Sequence, residues 1–223
     1  MIPSMYVDGR EINLSDFGVQ HVIKSYMAPT LSPVTIKTGG MLSPFYVRTD
    51  AEPHEIELRM WLQGNNKVDA MQKMLRLTQT MRHCEMVFPG EPGLHYICTL
   101  QFAQTEFSTP RRAILTLDLD CDILSNLQTV TITQNPQTIT VSGAQKANIN
   151  VEVTAVNALS GYQVNDLRIT CAKGDIVYID SENGLADLTK VDMIQFPQAL
   201  GDYAVSVSNL TDATVKISYR ARW

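Results

Sequence analysis

From residue 55 to 62, Ile56, Leu58, Met60 and Leu62 alternate with Glu57, Arg59 and Trp61; from 115 to 122, Leu115, Leu117, Leu119 and Cys121 alternate with Thr116, Asp118, Asp120 and Asp122. An extended chain alone puts every second side chain on one face, so both segments predict β-strands with one face buried and the other turned to water. A chain with two such strands must be built around a sheet.

The residues between and before them add one helix and several turns. Gly64-Asn65-Asn66 ends the first strand, after which Val68, Met71, Leu75, Thr78 and Met81 recur at helical spacing. Asp69 and Lys73 stand four apart, placed for an ion pair along one side. This predicts a single helix at about 67–83, with Pro89-Gly90 beyond its end. Asp8-Gly9, flanked by Tyr6-Val7 and by Arg10 to Ile12, is the dipeptide of a two-residue type I′ hairpin. Residues 28–44 read as a loop-rich stretch with short extended pieces, punctuated by Pro29, Pro33, Gly39, Gly40 and Pro44. Further strands are predicted near 94–103 and 112–122, closing a first domain of residues 1–127 that is barrel-like or sandwich-like and carries the one helix.

Beyond residue 127 no helical period appears. Short apolar runs recur near 129–133, 138–142, 149–155, 167–171, 176–180, 203–208 and 214–220, separated by Gly, Asn, Asp and Pro turns. That rhythm predicts a second domain, 128–223, folded as a β-sandwich. The chain as a whole is mainly β. Hydrophobic residues make up 44% of it and charged ones 18%, with mean hydropathy −0.07, enough to fill two cores.

The net charge of −5 argues against a phosphate-neutralising, direct contact with nucleic acid, which requires clustered Lys and Arg. No stretch has the ~20 apolar residues of a membrane helix, and the opening residues lack a signal-peptide pattern. Cys84, Cys98, Cys121 and Cys171 show no C-x-x-C spacing and read as free thiols of a protein made in a reducing cytoplasm.

Catalytic and metal motifs are weak. No G-x-S-x-G, H-E-x-x-H or P-loop pattern occurs. Asp118-x-Asp120-x-Asp122 resembles the start of a calcium loop, but Ile123 stands where a Gly is needed and Thr129 where a bidentate Glu is needed; a solvated strand face accounts for it better. His83-Cys84 and His95-x-x-Cys98 offer four zinc-type ligands, yet His95 and Cys98 fall on opposite faces of a strand. Asp180-Ser181-Glu182-Asn183-Gly184 reads as a hairpin turn rather than an ion site. The expectation is no catalytic residue, no metal ligand and no cofactor.

The succession of features is more specific than any one of them. A Val7-Asp8-Gly9 hairpin, a Gly39-Gly40 loop, the strand at 55–62, one helix and the strand at 112–122 are followed by Ile176-Val177-Tyr178-Ile179-Asp180, by Phe196-Pro197-Gln198-Ala199-Leu200-Gly201-Asp202-Tyr203, and by the terminal Tyr219-Arg220-Ala221-Arg222-Trp223. Over essentially the whole chain this order resembles the distal tail protein (Dit) family of long, non-contractile-tailed bacteriophages. The resemblance implies a hexameric ring formed by the N-terminal (belt) domains and a galectin-like C-terminal β-sandwich. It implies a virion structural protein of the baseplate, at the tail tip of the attachment apparatus and assembled in the bacterial cytoplasm. The partners implied are the tail tube protein, the tail-associated hub or lysin protein and the receptor-binding protein. The ring-interface residues are not legible. The second domain departs from sugar-binding galectins: all four histidines precede residue 96, and its only tryptophan is Trp223. A carbohydrate-binding module recognising host cell-wall glycan is the alternative reading, and a hydrolase with a dispersed active site is a further rival.

Overall fold

A computed structural model describes residues 2–26, 31–36, 45–51 and 54–223 of the chain. The chain divides into two compact units, Met1–Ile123 and Leu124–Trp223. The division falls four residues before the composition change at 127, because the long strand that ends the first unit runs on into the second.

Unit 1 contains strands β1 (Ser4–Val7), β2 (Arg10–Ile12), β3 (Val19–Tyr26), β4 (Leu31–Ile36), β5 (Phe45–Ala51), β6 (His54–Gln63), then helix α1 (Lys67–Thr80), then β7 (His83–Val87), β8 (Leu94–Thr109) and β9 (Arg112–Ser125). Seven strands form one antiparallel sheet in the order β2-β1-β7-β8-β9-β6-β3. β4 and β5 pair with each other as a separate hairpin between β3 and β6. Pro33 lies in β4, while Pro29, Gly39, Gly40 and Pro44 fall outside the described residues.

The two alternating segments are the centre of the sheet. β6 and β9 lie antiparallel with Leu58 opposite Leu117 and Met60 opposite Leu115. Their apolar sides are buried with Met5, Val22, Met86, Tyr96 and Cys98 from the neighbouring strands. Asp8 and Gly9 both have positive φ, as a type I′ turn demands, and Met5 pairs with Ile12 across that hairpin. Gly18 has φ +76, and a Cβ there would collide with the Gln63 carbonyl, so a glycine is needed where the chain enters β3.

α1 begins as the sequence predicts and ends three residues sooner. Asn66 caps it, its side chain accepting from the Asp69 amide at 3.0 Å, while Asp69 accepts from the Asn65 amide at 2.7 Å and pairs with Lys73 at 3.1 Å. That amide and the Lys73 ammonium hold the Asp69 carboxyl below its ordinary range. The helix stops at Thr80 because residues 83–87 are drawn into the sheet as β7 beside β1 and β8. The stripe that signalled the helix is mostly not the one it buries. Ala70, Met74, Leu77 and Met81 face the core, whereas Val68, Met71 and Leu75 are exposed.

Unit 2 contains β10 (Gln128–Thr131), β11 (Gln137–Val141), β12 (Ala147–Ala155), β13 (Leu159–Val164), β14 (Leu167–Cys171), β15 (Ile176–Asp180), β16 (Leu185–Ala186), β17 (Val191–Asp192), β18 (Gln198–Ala199), β19 (Gly201–Val205) and β20 (Ala213–Tyr219). The main sheet runs β10-β20-β12-β15-β16, with β18 also on β12; β13-β14-β17 and β11-β19 form smaller sheets. All contribute to one core, for example Val151, Val153 and Ile217 from the main sheet with Val164, Ile169 and Val205 from the others. The ends of the unit are stitched together: the Ser125 amide donates to the Ala221 carbonyl and the Ala221 amide to the Ser125 hydroxyl, both at 2.9 Å.

Candidate assembly surfaces

The buried polar residues among those described are Asn150 and Ser181, and they serve the fold: the Ser181 amide donates to Asn150 Oδ1 at 2.8 Å and its hydroxyl to the Ile149 carbonyl. Among the described residues no group of three or more His, Cys, Asp or Glu is arranged to hold a metal ion. The His83, Cys84, His95 and Cys98 set is divided by the pleat. Cys84 and Cys98 are cross-strand partners facing the core, whereas His83 Nδ1 lies 3.3 Å from the Thr99 hydroxyl and His95 Nδ1 lies 2.5 Å from Glu85. Cys98 lies between Cys84 and Cys121, whose sulfur is 2.8 Å away; its two thiol neighbours, together with burial, push the Cys98 thiol up and keep it protonated. The turn at 180–184 is a plain hairpin: Asn183 donates to both oxygens of Asp180 at 3.0 and 2.7 Å, and Gly184 has φ +66.

The surfaces are more informative. On the outer side of the β6–β9 ladder, Glu57 stands directly opposite Asp118 and Glu55 opposite Asp120. Like charges across a strand pair destabilise a sheet, so these facing carboxylates disfavour the β6–β9 ladder. Asp120 is partly relieved by Gln101, whose amide donates to it at 2.6 Å. Toward the other end of the same ladder the charge reverses, with Arg59 opposite Thr116 and Arg112 opposite Gln63. The alternation revealed Asp118, Asp120 and Asp122; the matching Glu55 and Glu57 become part of the same patch only through strand register.

One cluster left no local trace in the sequence. Lys24, on the core-facing side of β3, has its ammonium 2.6 Å from Glu91, 2.6 Å from the Tyr26 hydroxyl and 3.1 Å from that of Tyr96, and within 4.4 Å of the ring centres of Tyr26, Phe88 and Tyr96. Glu91 also accepts from the Tyr96 and Tyr26 hydroxyls. Burial disfavours ionisation of Glu91, but the hydrogen bonds from Lys24 and the two tyrosines outweigh it and hold the carboxyl below its usual value. Burial and the Glu91 bond push the Tyr96 hydroxyl upward.

Unit 2 carries a groove of about 570 Å³ whose wall includes Gln163, Asn165, Arg168, Asp192, Gln198 and Tyr203. Asn165 is anchored there, donating to the Tyr203 hydroxyl and the Ala204 carbonyl at 3.0 Å and accepting from the Ser206 amide at 2.7 Å. Ile194, on the same rim, is 97% exposed. Trp223 is nearly half exposed, so it does not serve as a buried plug of its own domain.

Neither the known protein families nor the curated proteins include a match to this sequence. Solved structures do resemble it. The crystal structure of the Dit protein of phage SPP1, described as a paradigm of the hub adsorption apparatus in phages infecting Gram-positive bacteria, superposes with TM-score 0.74 at 14% identity, covering 100% of both chains. A chain of the phage P2 baseplate in its activated conformation with Ca matches at TM-score 0.52 and 11% identity, and one from the form with Sr at 0.51 and 10%, each covering 98% of both chains. From its first hairpin to its last strand, this chain has the fold of the SPP1 Dit protein.

Proposed function

We propose that this chain is a distal tail protein, a non-enzymatic hub at the tip of a bacteriophage tail. The observation that carries the reading is the likeness to SPP1 Dit, which covers the whole of both chains rather than one common module. In this reading unit 1 closes a hexameric ring beneath the tail tube protein. Unit 2, a galectin-like sandwich, points outward and docks the tail-associated hub or lysin protein and the receptor-binding protein. The β4–β5 hairpin supports assembly, because it pairs with no other strand of its own chain among the described residues. A two-stranded hairpin is marginal alone and gains stability by joining a larger sheet.

The acidic rows of β6 and β9 fit a conduit. Lining the ring axis, Glu55, Glu57, Asp118, Asp120 and Asp122 repel passing DNA. The purified protein is therefore expected to leave DNA unretarded in a gel even at low salt.

The decisive test is native mass together with negative-stain imaging. A closed ring at six times 24.9 kDa is expected. A strict monomer at high concentration, with tail partners present, overturns the reading. The groove in unit 2 favours a second reading, a cell-wall glycan module, because its polar side chains surround Tyr203. Glycan-array binding by residues 124–223 alone would establish it.

A further inference from the structure

The turn that joins β15 to β16 is fixed at its base and open at its tip. Asp180 stands opposite Leu185 where the two strands pair. The next residue, Ser181, is buried and bound to Asn150 and Ile149, and the Glu182 amide reaches the same Asn150 oxygen at 3.3 Å. Asn183 and Gly184 then lie exposed. A Cβ built on Gly184 would meet only the edge of the Phe196 ring, at 3.9 Å, so water has free access to this peptide bond.

The pair Asn183-Gly184 has a chemistry of its own. A backbone nitrogen can attack the carboxamide of the asparagine before it, and the Cβ of its own residue is what ordinarily stands in the way. Asn183 is the asparagine of this chain that glycine follows; Asn13, Asn126 and Asn209 precede leucine, Asn148 isoleucine and Asn150 valine. In the reaction the Gly184 nitrogen loses its proton to hydroxide and bonds to Asn183 Cγ. The Cγ–Nδ2 bond breaks, ammonia leaves with a proton from water, and a five-membered succinimide closes. Water then opens the ring at one of its two carbon–nitrogen bonds. Cleavage at Cγ leaves aspartate at 183, and cleavage at the backbone carbonyl leaves isoaspartate, with the chain running through the side chain. Water enters and ammonia departs, with no oxidant or cofactor.

Asp180 stands against this reaction. Its carboxylate accepts from the Asn183 amide at 3.0 Å and from Asn183 Nδ2 at 2.7 Å, so one anion grips both the backbone and the carboxamide that must turn. We infer that Asn183 is a site of spontaneous deamidation to aspartate and isoaspartate, and that Asp180 sets its pace by holding the carboxamide away from the Gly184 nitrogen. Each event adds a negative charge where Asp180 and Glu182 already stand, and takes from Asp180 one of its two donors. The isoaspartate product also adds a methylene to the main chain of the turn, which shifts the register of β16, a strand of only two residues.

The test warms the full-length chain at mildly alkaline pH and follows the peptide that spans 183 and 184 by liquid chromatography and mass spectrometry. A gain of about one dalton at Asn183 is expected, divided between two chromatographic peaks, one of them methylated by an isoaspartyl methyltransferase. Asn209, equally exposed but followed by Leu210, serves as the internal comparison. An Asn183 that reacts no faster than Asn209 overturns the site. Asp180→Ala, with circular dichroism unchanged, is expected to react at least about threefold faster, as for loss of a charged hydrogen-bond acceptor. The wild-type chain unfolded in guanidinium, where the grip is released whatever the variant does to folding, is expected to outpace the folded chain by a similar factor. Equal rates for folded and unfolded wild type, or for wild type and a folded Asp180→Ala, overturn the part assigned to Asp180.

Discussion

Unit 1 and unit 2 are made of the same material, antiparallel strands with apolar faces, yet they finish their sheets differently. In unit 2 the main sheet ends in β10 and β16, only four and two residues long, and the smaller sheets share its core. In unit 1 one end of the sheet is the eight-residue β3, and a hairpin is left over with no partner strand in its own chain among the described residues. Where hydrogen bonds are completed within a unit, the sheet has little left to offer a neighbour; where a long edge and a hairpin both lack a further partner among the described residues, backbone groups remain that another strand can meet.

The largest expected effect tests that contrast directly. Removing residues 27–53 and bridging Tyr26 to His54 with a short Gly-Ser turn should abolish assembly by native mass while both units still melt cooperatively. A loss of unit 1 stability instead would show that the hairpin serves its own sheet. Next, Leu117→Ala in unit 1 and Ile217→Ala in unit 2 each remove a fully buried side chain, for about 2–5 kcal/mol. Calorimetry should show each substitution lowering one of two transitions and sparing the other. A single merged transition would erase the distinction between the units.

A smaller effect comes from Lys24→Met, which strips Glu91, Tyr26 and Tyr96 of a charged partner and should cost unit 1 about 1.5–3 kcal/mol. The same cluster sets a pH dependence. Because Glu91 is held below its ordinary carboxyl value when folded, its contribution is present above that ordinary value and is lost as pH falls through the lowered one. Melting of unit 1 as a function of pH between about 6 and 3 should show this loss, and Lys24→Met should reduce the slope. Smallest is Glu57→Gln, which relieves the opposition to Asp118 and should stabilise the isolated subunit by about 0.2–1 kcal/mol, read as a modest rise in Tm.

These features were unequally legible in the sequence. β6 and β9 follow directly from alternation because they lie mid-sheet with one clean buried face. β3 escaped because the bulge at Gln20 changes the parity of its side chains, and β13 because its pairing slips between Leu159 and Tyr162. β7 was missed, with its first residue, His83, placed at the end of the expected helix and the rest left unassigned. The helix's orientation was ambiguous for a simpler reason: residues 68, 71 and 75 and residues 70, 74 and 77 both carry apolar side chains at helical spacing, and only packing selects between them. Of the surface features, the acids of β9 were visible. The cleft lined by Gln20, His21, Trp61, Gln63 and Arg112 was not, because its residues come from three strands and meet only through register.

The stitching of Ser125 to Ala221, reinforced by Leu124 and Gln145 bridging to Arg222, brings the first and last residues of the second unit side by side. A module whose two ends share one doorway can be exchanged by recombination through a single pair of neighbouring junctions. The second unit can thus be replaced while the first keeps its own core.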